Sequence, residues 1–271
     1  MEPTMLKKSA KSLLGLVAGA VLLSACGDQK ETPAVLPEML IYCGITMAHP
    51  MKEIAQNMEQ ELGVKILINQ GGSEDLYQSL KASQKGDLYL PGSASYRERH
   101  MEEGLLGDFV HVGYNQAAMI VPRGNPKGLT ADITLLTKPE YKVVIVNPDS
   151  GSIGRETKKI LDDAGIYQAV LDNATYLTTD SRNLNQALKQ GDADVSINWR
   201  ATAFFAENKP HIQQLDLDPA VAKPKKLVLN LLTFSKIQDK ARRFMEYASS
   251  PEGQAIFRKY GFLDNTMKGD D

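Results

Sequence analysis

The chain of 271 residues carries 31 lysines and arginines against 33 aspartates and glutamates, a formal net charge of −2, and 42% of its residues are hydrophobic. This is the composition of an ordinary globular protein, with room for one large domain or two modest ones. It lacks the basic excess that is typical of nucleic-acid-binding proteins, so no nucleic-acid partner is predicted.

The N-terminus has the parts of an export signal. Three lysines in the first eleven residues precede an apolar run at 13–23, which is shorter than the roughly 20 residues of a membrane-spanning helix. Leu-Ser-Ala-Cys follows and resembles a bacterial lipobox, which implies cleavage before Cys26 and lipidation of its thiol; an ordinary signal peptide cleaved nearby is the alternative. We predict a lipoprotein signal peptide at 1–25, a polar tether at 26–37, and a protein anchored to a membrane in the periplasm or at the cell surface.

The hydrophobic pattern of the remaining chain predicts alternating strands and helices. Strands are predicted at 39–44, 64–70, 87–92, 117–124, 141–148, 193–199 and 226–234. Helices are predicted at 51–63, 73–83, 96–106, 181–191, 237–249 and 251–262, with another after the turn near residue 151. Cys43 lies in the first strand, where a buried, unreactive thiol is expected.

This alternation favours an α/β fold with mostly parallel sheets flanked by helices. A proline-bearing stretch at 220–226 and the stretch 112–116 bracket a middle block of the chain. We therefore predict two lobes joined by two crossover strands. Residues 38–114 and 227–271 would form the first lobe, and 115–226 the second, inserted lobe.

The segment VNPDSGSIGRETKKIL at 146–161 combines a strand end, a glycine-rich turn and a helix. Such a turn holds an anion, holds a nucleophile or only reverses the chain. It is not a Gly-x-Ser-x-Gly nucleophile elbow, because Ser150 occupies the first glycine position. The sequence also contains no P-loop and no His-Glu-x-x-His motif, and its four histidines are scattered. No enzyme activity, cofactor or metal is predicted.

Five segments carry a resemblance, in order: IYCGITMAHPMKEIA, NQGGSEDLYQSLKASQKGDLYLPGS, VNPDSGSIGRETKKIL, RNLNQALKQGDADVSINWRATA and SSPEGQAIFRKYGF. Together they cover nearly the whole chain after about residue 38 and resemble the periplasmic molybdate-binding proteins of ABC importers, within the type II solute-binding superfamily. The resemblance implies a two-lobed, monomeric binding protein. It also implies a small oxyanion held between the lobes and an ABC permease as partner.

The resemblance also implies ligand-binding positions. These are the hydroxyls of Thr46 and Ser73, the turn at Ser152 and Ile153, the backbone amide of Leu184, and Trp199 in place of the family's tyrosine. The glycine-rich turn adds the amide of Gly154, and Arg200 is a further candidate because a guanidinium can hold an anion with two hydrogen bonds. Three departures from the family pattern leave the identity of the anion open: Trp199, Arg200 and Glu74.

The physical argument is independent of the resemblance. Thr46, Ser73, Ser152 and the segment 181–184 each stand at or near the start of a predicted helix, where unpaired N–H groups and the helix dipole attract an anion. Donors alone suit a fully ionised oxyanion such as molybdate or tungstate. Hydrogen phosphate or a phosphonate also needs an acceptor for its proton, which a carboxylate facing the cleft would supply; the candidates are Glu74, Asp75 and Asp180.

Several of these residues have a second interpretation. Glu74 and Asp75 would otherwise stabilise the start of their own helix, Arg182 and Arg200 would pair with surface acids, and Trp199 would pack in the core. The scaffold also serves sensors that present a closed form to a membrane receptor. A ferric-ion carrier is disfavoured, because the sequence has no adjacent tyrosine pair.

Overall fold

The first sheet mixes parallel and antiparallel strands. The computed structural model describes residues 36–264, and five of their strands form this sheet: β1 (Glu38–Gly44), β2 (Lys65–Gly71), β3 (Leu88–Leu90), β4 (Leu106–Asn115) and β10 (Lys225–Leu232). Their order is β2-β1-β3-β10-β4. β1 is parallel to β2 and β3, whereas β10 is antiparallel to β3 and β4. Four of the five strands therefore run in the same direction, and β10 alone runs the opposite way, because it returns from the middle block.

The middle block forms two further groups of strands. β5 (Ala117–Pro122), β8 (Ser196–Trp199) and β9 (Ile212–Asp216) make an antiparallel sheet with β5 in the centre. β6 (Val143–Val146) and β7 (Ala174–Thr178) are parallel, and one bridge from Val143 to Val195 connects this pair to the residue just before β8.

Eight α-helices surround these sheets in the described part of the chain. They are α1 (Ala48–Leu62), α2 (Ser73–Ser83), α3 (Ser95–His100), α4 (Ser152–Asp163), α5 (Tyr167–Asn173), α6 (Ser181–Gln190), α7 (Gln238–Ser249) and α8 (Pro251–Lys259). The predicted helix at 96–106 is wrong in its second half. Gly104 adopts a left-handed backbone with φ 68°, and Leu106 begins β4 instead.

Two large apolar cores use mostly different parts of the chain, although Ala201 and Phe205 of the middle block pack in the core of the outer segments. One contains buried side chains between Ala117 and Ala222, and the other is built on β1, β3, β10 and the helices α1, α7 and α8. This separation agrees with the predicted two-lobed α/β arrangement; the exact lobe boundaries stay a prediction. Cys43 is buried in the second of these cores, as predicted, and burial raises the pKa of its thiol.

The predicted signal peptide, Cys26 and most of the tether lie outside the described residues. Within 36–264, no helix is both long and apolar enough to cross a membrane. No group of three or more His, Cys, Asp or Glu side chains in the same range is arranged to hold a metal ion.

Candidate functional site

Three helices begin around one small cavity. α2, α4 and α6 start there at Ser73, Ser152 and Ser181, and the turn after β1 contributes Thr46. The cavity measures about 20 Å³, and one water molecule takes about 10–15 Å³ by the same measure. A small ion fits these dimensions, whereas a sugar or an amino acid does not. We call this cavity and its polar lining the cradle: Thr46, Ser73, Gly92, Ser152, Ile153 and Ser181.

The local sequence leaves the first amides of two helices without a side-chain cap. Gly72 precedes α2 and Gly151 precedes α4, both with extended backbone and no capping hydrogen bond. A Ser, Thr, Asp or Asn at these positions would accept hydrogen bonds from the first-turn N–H groups. Glycine cannot, so the helix starts at Ser73 and Ser152 keep donors that an anion can use.

Two serine hydroxyls are held as donors by N–H groups of the protein. The amide of Gly92 donates to Ser73 Oγ at 3.0 Å, and the indole Nε1 of Trp199 donates to Ser152 Oγ at 3.3 Å. An N–H group cannot accept a hydrogen bond, so each serine's own hydrogen is left for another acceptor. Both hydroxyls are therefore prepared to donate to a ligand.

The same two serines meet at Gly92. A Cβ atom built on Gly92 would lie 2.1 Å from Ser152 Oγ and 3.6 Å from Ser73 Oγ. A real side chain cannot approach an oxygen so closely. The absence of a side chain at position 92 thus lets α4 and α2 bring their hydroxyls together.

Thr46 and Ser181 are buried polar residues of the cradle, with 4% and 6% of their surface exposed. Neither hydroxyl has a hydrogen-bond partner among the described residues. Neither oxygen is among the fully buried side-chain atoms that lack a partner, so each hydroxyl keeps some exposed surface from which it can donate to a ligand in the cavity.

No lysine or arginine of the described residues lines the cavity, and its single lining carboxylate is already engaged. Asp180 Oδ1 accepts the amides of Arg182 at 2.8 Å and Asn183 at 2.9 Å, and Oδ2 accepts the side-chain amide of Asn183 at 3.2 Å. Asp180 therefore caps α6. The negative charge of a ligand would be met by hydroxyls, amides and helix dipoles.

The structure brings together four of the predicted site residues: Thr46, Ser73, Ser152 and Ile153. Their part in binding stays a prediction. The other four predicted residues do not line the cradle, and the contacts of each explain why.

Leu184 was predicted to offer its backbone amide, and this is wrong. Its N–H donates to the carbonyl of Asp180 at 3.1 Å, within the first turn of α6, and its side chain is buried in the core. Because α6 begins at Ser181, that residue occupies the cavity instead.

Gly154 does not line the cavity, and its lack of a side chain serves packing. A Cβ atom at this position would lie 2.3 Å from the carbonyl oxygen of Asn147. The glycine allows the first turn of α4 to pack directly against the turn that precedes it. The sequence prediction considered only the amide of Gly154 and not this contact.

Trp199 is not a wall of the cavity. Only 1% of its surface is exposed, and it lies behind Ser152, which its indole N–H contacts. Arg200 is turned away altogether. Its guanidinium pairs with both carboxylate oxygens of Asp216 at 2.9 and 3.4 Å, donates to the carbonyl of Gly261 at 3.1 Å and stacks on Phe204.

Glu74 faces other side chains instead of the cavity. Its carboxylate accepts a hydrogen bond from the side chain of Gln78 at 2.8 Å. It also forms ion pairs with Arg99 at 3.4 Å and with Arg155 of α4 at 4.0 Å. Burial alone would raise the pKa of Glu74, but the hydrogen bond from Gln78 and the neighbouring cations outweigh it and hold the pKa below its ordinary value. Asp75 is exposed to solvent. Neither residue supplies an acceptor in the cradle.

Sequence reasoning did not single out Gly92 and Ser181. Ser181 lay inside the predicted segment 181–184, and the signal for it was Asp180, a preferred N-cap residue directly before it. Gly92 follows a short buried strand in Leu-Pro-Gly-Ser, and nothing in that stretch indicates that α4 packs close to it.

The fold and the cradle define a class: a two-lobed binding protein whose small cavity is built from helix N-termini and suits an anion. The chain belongs to the family of bacterial extracellular solute-binding proteins, whose family model matches residues 39–263. It is thus an extracytoplasmic solute-binding component of the kind that serves ABC importers.

Named relatives are distant but extend over most of the chain. The molybdate-binding protein of Rhodobacter capsulatus is 21% identical and covers 94% of this chain and 96% of its own length. The sulfate-binding protein of Synechococcus elongatus is 23% identical, covering 94% and 82%. In three dimensions, the sulfate-binding protein of Mycobacterium tuberculosis superposes with a TM-score of 0.73 at 17% identity, covering 84% and 87%. The predicted resemblance and the type II fold are confirmed.

Proposed function

We propose that this protein captures a fully deprotonated tetrahedral oxyanion of the molybdate, tungstate and sulfate class outside the cytoplasm and delivers it to an ABC permease. The observation that carries the proposal is the polarity of the cradle. Ser73 and Ser152 each accept one hydrogen bond from an N–H group, so their own hydrogens are available to be donated to the ligand.

A ligand that brings a proton fits this lining poorly. Hydrogen phosphate and protonated phosphonates need an acceptor, and the cradle's one described carboxylate, Asp180, already accepts two amides through Oδ1 and the side-chain amide of Asn183 through Oδ2. A protonated oxygen left unpaired in a buried site costs about 1–3 kcal/mol. Sulfate and molybdate carry no proton at neutral pH, so a lining of donors satisfies all four of their oxygens. The names of the two distant relatives point the same way.

The anion would be held between the lobes. Thr46 and Ser73 come from the proposed first lobe (38–114 and 227–271), and Ser152 and Ser181 from the proposed second lobe (115–226). A ligand that contacts both lobes favours the closed form by its differential affinity for that form, and the closed surface is what a permease can recognise. We place the monomeric protein on the membrane through a lipid at Cys26.

Anion binding is tested on the purified full chain by thermal unfolding and calorimetry with molybdate, tungstate, sulfate, phosphate and methylphosphonate at pH 7. One or more of the first three should raise Tm, since a ligand at 100 times its Kd stabilises the folded state by about 2.7 kcal/mol. No shift with any anion, or a larger shift with phosphate than with the unprotonated anions, would contradict the proposal.

The anchor is tested separately. The intact mass of the membrane-extracted protein should show a lipid on an N-terminal Cys26, and Cys26→Ser should release the protein into the soluble extracytoplasmic fraction. A Cys26→Ser protein that stays in the membrane would contradict the anchor but leave anion binding unaffected.

A further inference from the structure

One arginine reaches from the second proposed lobe to the first, beside the cradle. Arg155 lies in α4, one turn after Ser152. Its guanidinium carbon stands 3.8 Å from the centre of the Tyr96 ring in α3, and its Nη1 lies 4.0 Å from a carboxylate oxygen of Glu74 in α2. We call Arg155, Tyr96 and Glu74 the interlobe contact.

The two sides of the interlobe contact pack in different apolar cores. Ile153 and Ile160 hold α4 in the core of the middle block. Tyr96 packs instead with Tyr77 and Tyr89 in a separate cluster against the first sheet. The interlobe contact therefore joins two parts that each have their own core, and it has to break when the lobes part to admit an anion.

The other partners of Glu74 all lie in the first proposed lobe. They are Gln78 at 2.8 Å, Arg99 at 3.4 Å and His100 at 3.6 Å. These neighbours hold the carboxylate in place and already offset its charge before Arg155 arrives. The ring of Tyr96 therefore supplies the larger share of the attraction on Arg155, and Glu74 the smaller share.

The interlobe contact is partly shielded from water. Tyr96 is fully buried, and the side chain of Arg155 is 25% exposed. The attraction between a cation and an aromatic face grows as water is removed from the pair. Against this, Nη2 of Arg155 is buried without a hydrogen-bond partner among the described residues, which opposes closure. The interlobe contact is thus of moderate strength, so it reinforces closure by a ligand without replacing it.

The interlobe contact and the cradle depend on the same approach of α2 to α4. Glu74 directly follows Ser73 at the start of α2. Arg155 follows Ser152 by one turn of α4. An anion that draws the two cradle serines together therefore also brings Arg155 onto its partners, and the two sets of contacts favour the same closed form.

We propose that Arg155 is a positioning residue for anion capture, which holds the lobes closed over the bound anion through the ring of Tyr96 and the carboxylate of Glu74. The inference rests on the proposed function, since it requires an anion and two lobes that close on it. Arg155 does not line the cradle. It acts on the lifetime of the closed complex, whereas a residue that only attracted the anion by its charge would change the rate of association.

The test measures the rates at which radiolabelled molybdate, tungstate and sulfate bind to and leave the purified full chain. Dissociation is followed after a chase with the unlabelled anion. The main variant is Arg155→Ala, and Arg155→Lys keeps the charge but loses the planar group that lies over the ring. The matched control is Lys159→Ala, which removes a cation of the same helix whose described ion pair, with Asp163, stays within α4. Circular dichroism and Tm establish that each variant is folded.

We expect Arg155→Ala to raise the dissociation rate constant about 2- to 30-fold, the range of a cation–π contact from exposed to desolvated. The association rate constant should change less than about twofold, because most effects of contact residues appear in dissociation. Arg155→Lys should lie between Arg155→Ala and the unaltered protein. Lys159→Ala should behave like the unaltered protein in both rates.

A double-mutant cycle with Tyr96→Leu separates the interlobe contact from a general loss of structure. If Arg155 acts through the ring, Tyr96→Leu speeds dissociation by itself but adds nothing further to Arg155→Ala. Tyr96→Phe keeps the ring and should release the anion at the unaltered rate, since Oη of Tyr96 has no hydrogen-bond partner among the described residues.

Four results would overturn the role of Arg155 and leave anion binding standing. They are unchanged or slower dissociation in Arg155→Ala, a change confined to association, an equal effect in Lys159→Ala, and additive effects of Arg155→Ala and Tyr96→Leu. A failure of the unaltered protein to bind any of the three anions would instead contradict the proposed function, and the role of Arg155 with it.

Discussion

The indole N–H of Trp199 donates to Ser152 Oγ at 3.3 Å, which fixes the direction in which this hydroxyl can donate. Since the indole is a donor only, Ser152 cannot return its own hydrogen to Trp199. The chain's one tryptophan thus orients a hydroxyl of the cradle without lining the cavity itself.

Trp199→Phe should weaken binding of the oxyanion about two- to tenfold, because one hydrogen bond worth about 0.5–1.5 kcal/mol is lost and the Ser152 hydroxyl becomes free to rotate. Isothermal titration calorimetry measures the change, since the fluorescent probe is gone. If Trp199 acts through Ser152, adding Trp199→Phe to Ser152→Ala should cost nothing further. Additive losses in this double-mutant cycle would show that Trp199 contributes by another route.

Gly92→Ala should cut the affinity about 5- to 100-fold while leaving the unliganded protein folded. The added Cβ would stand 2.1 Å from Ser152 Oγ and 2.9 Å from Ser152 Cβ, so the two helix starts have to move apart, and overpacking of this kind costs about 1–3 kcal/mol. Calorimetry and Tm provide the readouts.

Gly107→Ala is the matched control for Gly92→Ala. A Cβ atom there meets nothing closer than 3.4 Å, so affinity and Tm should change little. Affinity that survives in Gly92→Ala would mean that Ser73 and Ser152 do not need to converge for binding.

The helix starts at Ser73 and Ser152 could be predicted from the sequence, because Gly-Gly-Ser and Gly-Ser stand between a strand and a periodic apolar pattern. The third start, at Ser181, was predicted as well, since the helix was expected at 181–191. The binding amide of this helix came from the family resemblance, which assigned it to Leu184, three residues beyond Ser181. Since amides deeper than the first turn bond within the helix, that small shift decides which residue can bind.

The residues that could not be predicted depend on elements far apart in the chain. Arg200 is paired with Asp216 of β9, a strand that the sequence pattern did not reveal. Trp199 ends a strand whose neighbours determine which side faces the cavity, and Gly92 matters only because α4 approaches it from another part of the chain. Local patterns predict donors at helix starts, and tertiary contacts decide which of them face one another.

Arg200→Ala should leave oxyanion affinity within about twofold of the unaltered protein. The guanidinium is committed to Asp216, Gly261 and Phe204, and it does not line the cradle. Its loss should lower stability by about 1 kcal/mol or less, as expected for a partly exposed ion pair. Calorimetry with Ser152→Ala alongside sets the scale, because loss of a donor to a charged group costs about 1.5–3 kcal/mol. A loss of affinity in Arg200→Ala as large as in Ser152→Ala would show that Arg200 does take part in binding.

Glu74→Gln should lower thermal stability at neutral pH, and the difference from the unaltered protein should vanish in acid. The pKa of Glu74 is depressed in the folded protein. Its ionised form therefore stabilises the fold above the unfolded glutamate pKa of about 4.3, and this contribution is lost as the pH falls through the lower folded value. Tm measured from pH 7 to pH 3 checks the prediction. The control is Glu140→Gln, which removes the same charge. Glu140 is exposed and forms no ion pair among the described residues. A constant difference at all pH values would show that Glu74 acts by packing alone.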